Sequence, residues 1–129
     1  MYELMCNKGY EPASYLHNSS NIWKNVTLGK HIFILEGVTV QPFSIIEDNV
    51  MIWCGSQICH HTIISKNVFI ASNVTISGSC NVGEFSFIGA NTSFNDEISV
   101  GKKCLIGSGS TLIKNIEDNA RIVGINRKI

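Results

Sequence analysis

Every sixth residue from Leu16 onward is apolar: Leu16, Ile22, Leu28, Ile34, Val40, Ile46, Ile52, Ile58, Ile64, Ile70, Ile76, Val82, Ile88, Phe94, Val100, Ile106 and Leu112. In a chain that is 44% hydrophobic, an unbroken row of this length has chance odds of roughly 1 in 10⁵, even allowing for six registers. A second row stands two residues before each member of the first, starting at Ser20 and closing at Ile116. It reads Ser20, Val26, Ile32, Val38, Ser44, Val50, Ser56, Thr62, Val68, Val74, Cys80, Ser86, Thr92, Ile98, Cys104, Ser110 and Ile116, all small or β-branched.

In a strand, residues i and i+2 share a face, so each unit supplies two inward side chains and then needs a turn. Three residues after the large apolar position stand Asn25, Gly37, Asn49, Gly55, Asn67, Asn73, Asn91, Gly109 and Asn115. These are residue types that tolerate left-handed backbone angles. Three units close a triangular coil of 18 residues, and coils stacked at roughly 4.8 Å build a parallel β-solenoid. The spacing predicts about five and a half coils over residues 16–115, a prism roughly 26 Å tall. Residues 1–15 are expected to be an N-terminal cap or linker remnant and residues 116–129 a C-terminal cap, because bare ends would expose unpaired strand edges.

Composition excludes several function classes. Ten basic residues balance ten acidic ones and form no cluster, against the concentrated Lys and Arg that phosphate backbones demand, so no nucleic-acid partner is expected. No apolar run approaches the roughly 18 residues of a membrane span, and Met1–Tyr10 lacks a secretory h-region, so a cytoplasmic protein with no membrane partner is expected. The five cysteines, Cys6, Cys54, Cys59, Cys80 and Cys104, form no CxxC pair; reduced thiols and no metal are the expectation.

Residues 18 apart stack vertically, so the outer surface can be read in columns. Tyr15, Phe33, Met51, Phe69, Phe87 and Leu105 make an apolar stripe, either a subunit interface or ligand wall, or a surface that the terminal segments cover. The next corner is uniformly small, with Cys54, Ala71–Ser72, Gly89–Ala90 and Gly107–Ser108 forming a shallow channel. Another corner, with Lys30, Glu47–Asp48, Lys66, Glu84 and Lys102, reads as solvated surface. The remaining corner stacks Gln41–Pro42, Cys59–His60–His61, Ser77–Gly78 and Asn95–Asp96. It places the imidazole of His60 one rung from an unshielded amide at Gly78, a pairing suited to acyl transfer with a general base and an oxyanion donor.

The six-residue rows, the stretch Trp53-Cys54-Gly55-Ser56-Gln57-Ile58-Cys59-His60-His61, Asn91-Thr92, and Gly107-Ser108-Gly109-Ser110 followed by Lys114 resemble the hexapeptide-repeat sugar acyltransferases. The resemblance is to the branch of sialic acid O-acetyltransferases and bacillosamine-type amino-sugar N-acetyltransferases, and it runs from about Lys8 to the C-terminus. It implies an all-β, left-handed parallel β-helix that forms a homotrimer with active sites between subunits. It further implies transfer of an acetyl group from acetyl-CoA to an amine or hydroxyl of a nucleotide-activated sugar, in polysaccharide biosynthesis. Carried over by position, His60 is the catalytic base, His61 tunes it and Gly78 is the oxyanion amide. Gly78, Phe69, Ala90 and Ser108 contact acetyl-CoA, while Lys114, with Arg127 and Lys128, meets its phosphates or is an ordinary terminal lysine. Members of this branch usually carry a small sugar-nucleotide-binding domain before the helix, which the residues ahead of Tyr15 do not supply. The acceptor site then comes from another polypeptide, from a longer chain of which this is a fragment, or from the helix alone.

Three rivals remain in view. A metal hydratase on the same solenoid needs three histidines converging from stacked coils, but His17 and His31 fall on other corners than His60. An ice-binding surface needs paired threonine ranks, and the rank beside Thr39, Gln57, Thr75, Ser93 and Thr111 is Trp23, Gln41, Cys59, Ser77 and Asn95. A trimeric scaffold without catalytic activity predicts no acetyl-CoA binding. The Asn-x-Ser/Thr sequences follow from the repeat itself, and Cys59 reads as a bystander thiol rather than a nucleophile.

Overall fold

The computed structural model describes residues 1–126 and is a parallel β-solenoid of about six coils, built from eighteen two-residue strands after one short helix, α1 (Tyr2–Asn7). The strands form three sheets of 7, 6 and 5 strands, each face of the prism pairing a strand with the one three units later. Register is 18 residues throughout the regular part: Phe69 pairs with Met51 and Phe87, Thr75 with Gln57 and Ser93, and Asn81 with Ile63 and Ser99. No helix among the described residues is long and apolar enough to cross a membrane.

The two inward rows become the core. From Ile34 to Leu112 the large row is buried along its whole length, with Ile34, Ile52, Ile70, Ile88 and Ile106 stacked rung over rung at 0% exposure. The smaller row lies where adjacent faces meet and space is least, and its hydroxyls connect the coils. Ser86 Oγ donates to Gly101 O (2.9 Å) and accepts from Cys104 N (3.0 Å). Ser44 does the same with Cys59 O and Thr62 N, and Ser56 with Ala71 O and Val74 N. Ser86→Ala should therefore destabilise the chain by about 1–3 kcal/mol, because it leaves a buried donor and acceptor without partners. A denaturant titration with unchanged m-value checks this.

Corner geometry follows the predicted positions, but residue type follows less closely. Gly37, Asn49, Gly55, Asn67, Asn73, Asn91 and Gly109 all have positive φ, whereas Asn25 and Asn115 do not. His31, Phe43, His61, Ser79, Phe85, Glu97 and Lys103 adopt the same left-handed conformation without the usual residue type. Coil closure dictates the angle, and each such residue carries about 1–2 kcal/mol of strain for it.

Helix α1 does not cover the first coil, where Leu16 is 44% exposed; it lies along the charged corner. Tyr2 stacks on His31 with ring centres 5.4 Å apart, and α1 lines an open cleft of about 340 Å³ with Asp48, Lys66 and Asn67, so that corner is partly covered rather than simply solvated. At the other end the chain keeps coiling as far as Ile125. Val100 pairs with Ile116 and Leu105–Ile106 with Arg121–Ile122, a rise of 16 residues, and Thr111 pairs with Ile125 after only 14. Asn side chains bridge the shortened coils, Asn115 accepting from Ser99 N (2.9 Å) and Asn126 from Ile113 N (2.6 Å). Arg127 and Lys128 lie outside the described residues.

Candidate active site

The turn after the strand Gln57–Ile58 carries Cys59, His60 and His61, and its shape is set by stacking on the coils above and below. His60 N–H donates to Gln41 Oε1 (3.1 Å), His60 O accepts from Ser79 N (2.9 Å), and His61 N–H donates to Pro42 O (3.1 Å). The two imidazoles meet edge to face with Nδ1 to Nδ1 at 3.1 Å. One of these atoms must donate and the other accept; when His60 Nδ1 carries the proton, His60 Nε2 keeps its lone pair. His61 is held from behind by Phe43, one coil earlier, with ring centres 5.1 Å apart.

Gly78 lies buried against the face of the His60 imidazole. A β-carbon at Gly78 would come within 2.6 Å of His60 Cε1 and 2.7 Å of Nε2, so only glycine leaves the ring in place. The φ of Gly78 is not in the left-handed region; the requirement is for room and not for backbone freedom. Gly78→Ala should push the imidazole aside, lowering any His60-dependent activity at least tenfold while the melting temperature changes little. Parallel kinetics and thermal melts check both parts.

The expected open amide at Gly78 is not found. Its N–H donates to Asp96 Oδ1 at 2.8 Å, because Asp96 is the residue one coil further along the same corner. His60, Gly78, Ser79, Asp96 and Glu97 line one cavity of about 250 Å³. Phe43, His61, Ser79 and Glu97 give this corner left-handed residues that are neither Gly nor Asn on four successive coils; Phe85 and Lys103 do so on two coils of the charged corner. Such strain collects where geometry matters to function. Cys59, beside His60, has its thiol pushed up by burial and further by the charge of Asp96, which disfavours the thiolate a nucleophile would need.

The remaining predicted residues fall into two other places. Phe69 is on the apolar stripe, its ring parallel to Phe87 at 5.2 Å and 6.0 Å from Trp53. Ala90 and Ser108 occupy consecutive coils at the small-residue corner, with Gly109 N–H donating to Ala90 O (2.8 Å). Lys114 lies on the His60 corner near the C-terminal end, where its carbonyl accepts from Asn126 Nδ2 (2.7 Å). One chain therefore brings His60, His61 and Gly78 together and leaves Phe69, Ala90 and Ser108 on a different part of the prism. Two contributors lacked an assigned role in the sequence, Asp96 and Phe43. Both were accessible through the 18-residue column, at one coil after Gly78 and one before His61. Among the described residues no group of three or more His, Cys, Asp or Glu side chains is placed to hold a metal ion.

Residues 43–78, which contain His60, His61 and Gly78, match the model of the bacterial transferase hexapeptide, six repeats. No curated protein matches the chain by sequence. Among solved structures, the acetyltransferase domain of PglB from Neisseria gonorrhoeae superimposes with a TM-score of 0.93 at 21% identity, covering 95% of this chain and 60% of that one. It has also been solved with acetyl coenzyme A. PerB from Caulobacter crescentus, in complex with CoA and GDP-perosamine, gives 0.94 at 20% identity over 95% and 59%. A UDP-N-acetylglucosamine acyltransferase from Campylobacter jejuni gives 0.63 at 19% identity over 88% and 64%. At these identities the likeness establishes the hexapeptide fold, and the chain spans about 60% of the length of the first two proteins.

Proposed function

We propose that this chain transfers an acetyl group from acetyl-CoA to an amine or hydroxyl of a nucleotide-activated sugar, as a cytoplasmic homotrimer of left-handed coils with its active sites between subunits. The observation that carries the reading is the His60 imidazole seated on Gly78 with His61 Nδ1 3.1 Å from its own Nδ1. The bound ligands of the PglB domain and PerB supply the donor and acceptor class.

In this reading His61 accepts the Nδ1 proton of His60 and so fixes the tautomer in which Nε2 is basic, the role a carboxylate fills in other triads. Nε2 removes the proton from the acceptor as its nitrogen or oxygen attacks the thioester carbonyl. The Gly78 amide then stabilises the tetrahedral oxyanion, which collapses with loss of the CoA thiolate, and the proton on His60 passes to that sulfur. Phe69, Gly78, Ala90, Ser108 and Lys114 hold acetyl-CoA. Of these, Phe69, Ala90 and Ser108 lie away from the His60 corner within one chain, so a neighbouring copy provides the opposite wall of the cleft.

The test is calorimetric titration of acetyl-CoA into the purified chain, with turnover against amino-sugar nucleotides and a solution mass on the same sample. About one site per chain in a trimer, with release of CoA thiol on adding acceptor, supports transfer. A trimer that binds no acetyl-CoA overturns it and leaves the scaffold.

A further inference from the structure

We infer that Asp96 is a positioning residue that keeps the Gly78 amide from binding the thioester in its ground state and yields it only to the transition-state oxyanion; the inference rests on the function proposed above. The first residue of each turn has an N–H that the backbone ladder between coils does not take up. In the described structure those of Cys54, Ser72, Ala90 and Ser108 have no hydrogen-bond partner within the chain, so the fold does not require this amide to be capped. Asp48 and Asp118 cap the corresponding amides of Lys30 and Lys102, but on the charged corner, away from any imidazole. At the His60 corner the cap falls on Gly78, whose α-carbon lies under the histidine ring, and the carboxylate lines the same cavity as that ring.

The three candidate acceptors for this N–H differ in strength. A carboxylate oxygen takes a charge-assisted hydrogen bond, roughly twice as strong as the bond a neutral thioester carbonyl can offer. The developing oxyanion matches the carboxylate in charge and is held in place by the rest of the bound donor. Asp96 therefore outcompetes the neutral carbonyl of the bound donor, and the amide leaves the carboxylate only for an acceptor of equal charge, so this N–H does not tighten donor binding in the ground state. The periodic row that places Asp96 on the outside of the corner also leaves its side chain exposed, free to turn aside into solvent.

The experiment is calorimetry with CoA and with acetyl-CoA on the parent, Asp96→Ala and Asp96→Asn. Removing the carboxylate frees the amide for the thioester oxygen, so acetyl-CoA should tighten about tenfold relative to CoA in Asp96→Ala. Asp96→Asn, with a neutral acceptor, should fall between the two, and it decides by the same ratio if the alanine variant fails to fold. A purely structural cap would alter melting temperature and leave the ratio of the two affinities where it was; that result overturns the inference alone. If all three proteins bind neither CoA nor acetyl-CoA, the transferase reading fails and the inference with it.

Discussion

Replacing His60 with alanine should slow acetyl transfer by about 10²–10⁴-fold, the range for loss of a positioned general base, and leave acetyl-CoA binding nearly unchanged. The separation follows from where the side chain sits. The His60 backbone remains held by Gln41 Oε1, Ser79 N–H and the coil register, so truncating an exposed ring does not disturb the turn. Its Nε2, by contrast, lies over Gly78 with nothing else in the cavity able to take a proton from the same place except the carboxylates of Asp96 and Glu97. Steady-state kinetics with acetyl-CoA and an amino-sugar nucleotide, alongside calorimetry, measure the two quantities separately. Added imidazole should restore part of the rate to the alanine variant, which a merely structural role for His60 would not allow. Equal turnover by parent and variant would remove His60 from the mechanism.

The second large effect is expected from Phe87→Asp. Tyr15, Phe33, Met51, Phe69, Phe87 and Leu105 do pair rung to rung as a single apolar column, and Tyr15, Phe87 and Leu105 remain 49%, 39% and 44% exposed. Helix α1 stacks Tyr2 on His31, whose ring meets Phe33 at the edge of the stripe. A stripe of this length facing water is worth burying, at about 1.5–3 kcal/mol for each large side chain. In a homotrimer, one Asp per copy would introduce three carboxylates into that buried seam, each at a desolvation penalty of several kcal/mol. The solution mass should fall from three times the 14.2 kDa of one chain to that of a single chain, and transfer should be lost with it. Phe87→Leu, which keeps the apolar surface, should remain trimeric and active. A Phe87→Asp variant that stays trimeric would move the interface to another face.

Loss of activity in the dissociated variant also bears on the geometry of the site. Phe87 has no assigned contact with acetyl-CoA, whereas Phe69, Ala90 and Ser108 do in the proposed reading, and these lie apart from His60 within one chain. Because Phe87 stacks on Phe69, activity that depends on Phe87 reports the need for a second copy only where the solution mass falls with it.

The coil was legible because its determinants are local and periodic. A strand of two residues followed by a corner permits only two inward positions per unit, so the rows beginning at Leu16 and Ser20 are forced to be apolar or small. The 18-residue stack then follows by arithmetic, and with it the apolar stripe, the small-residue corner and the proximity of His60 to Gly78. Periodicity, however, places α-carbons in columns and does not orient side chains. That Asp96 turns its carboxylate onto the Gly78 N–H, and that His60 and His61 meet through their Nδ1 atoms, depended on the space and donors present once the coils were stacked. Left-handed angles at Phe43, His61, Ser79 and Glu97 are imposed by coil closure against the preference of the residues themselves. The repeat also lapses after Asn115, where coils of 16 and then 14 residues are held by asparagine side chains together with Ile116, Ala120 and Ile122 on the core, and before Tyr15, where α1 docks on a corner through Tyr2 and His31. Sequence alone determined the solenoid and its columns; which groups in a column touch was decided by packing between coils, because those contacts join residues that share no local signal.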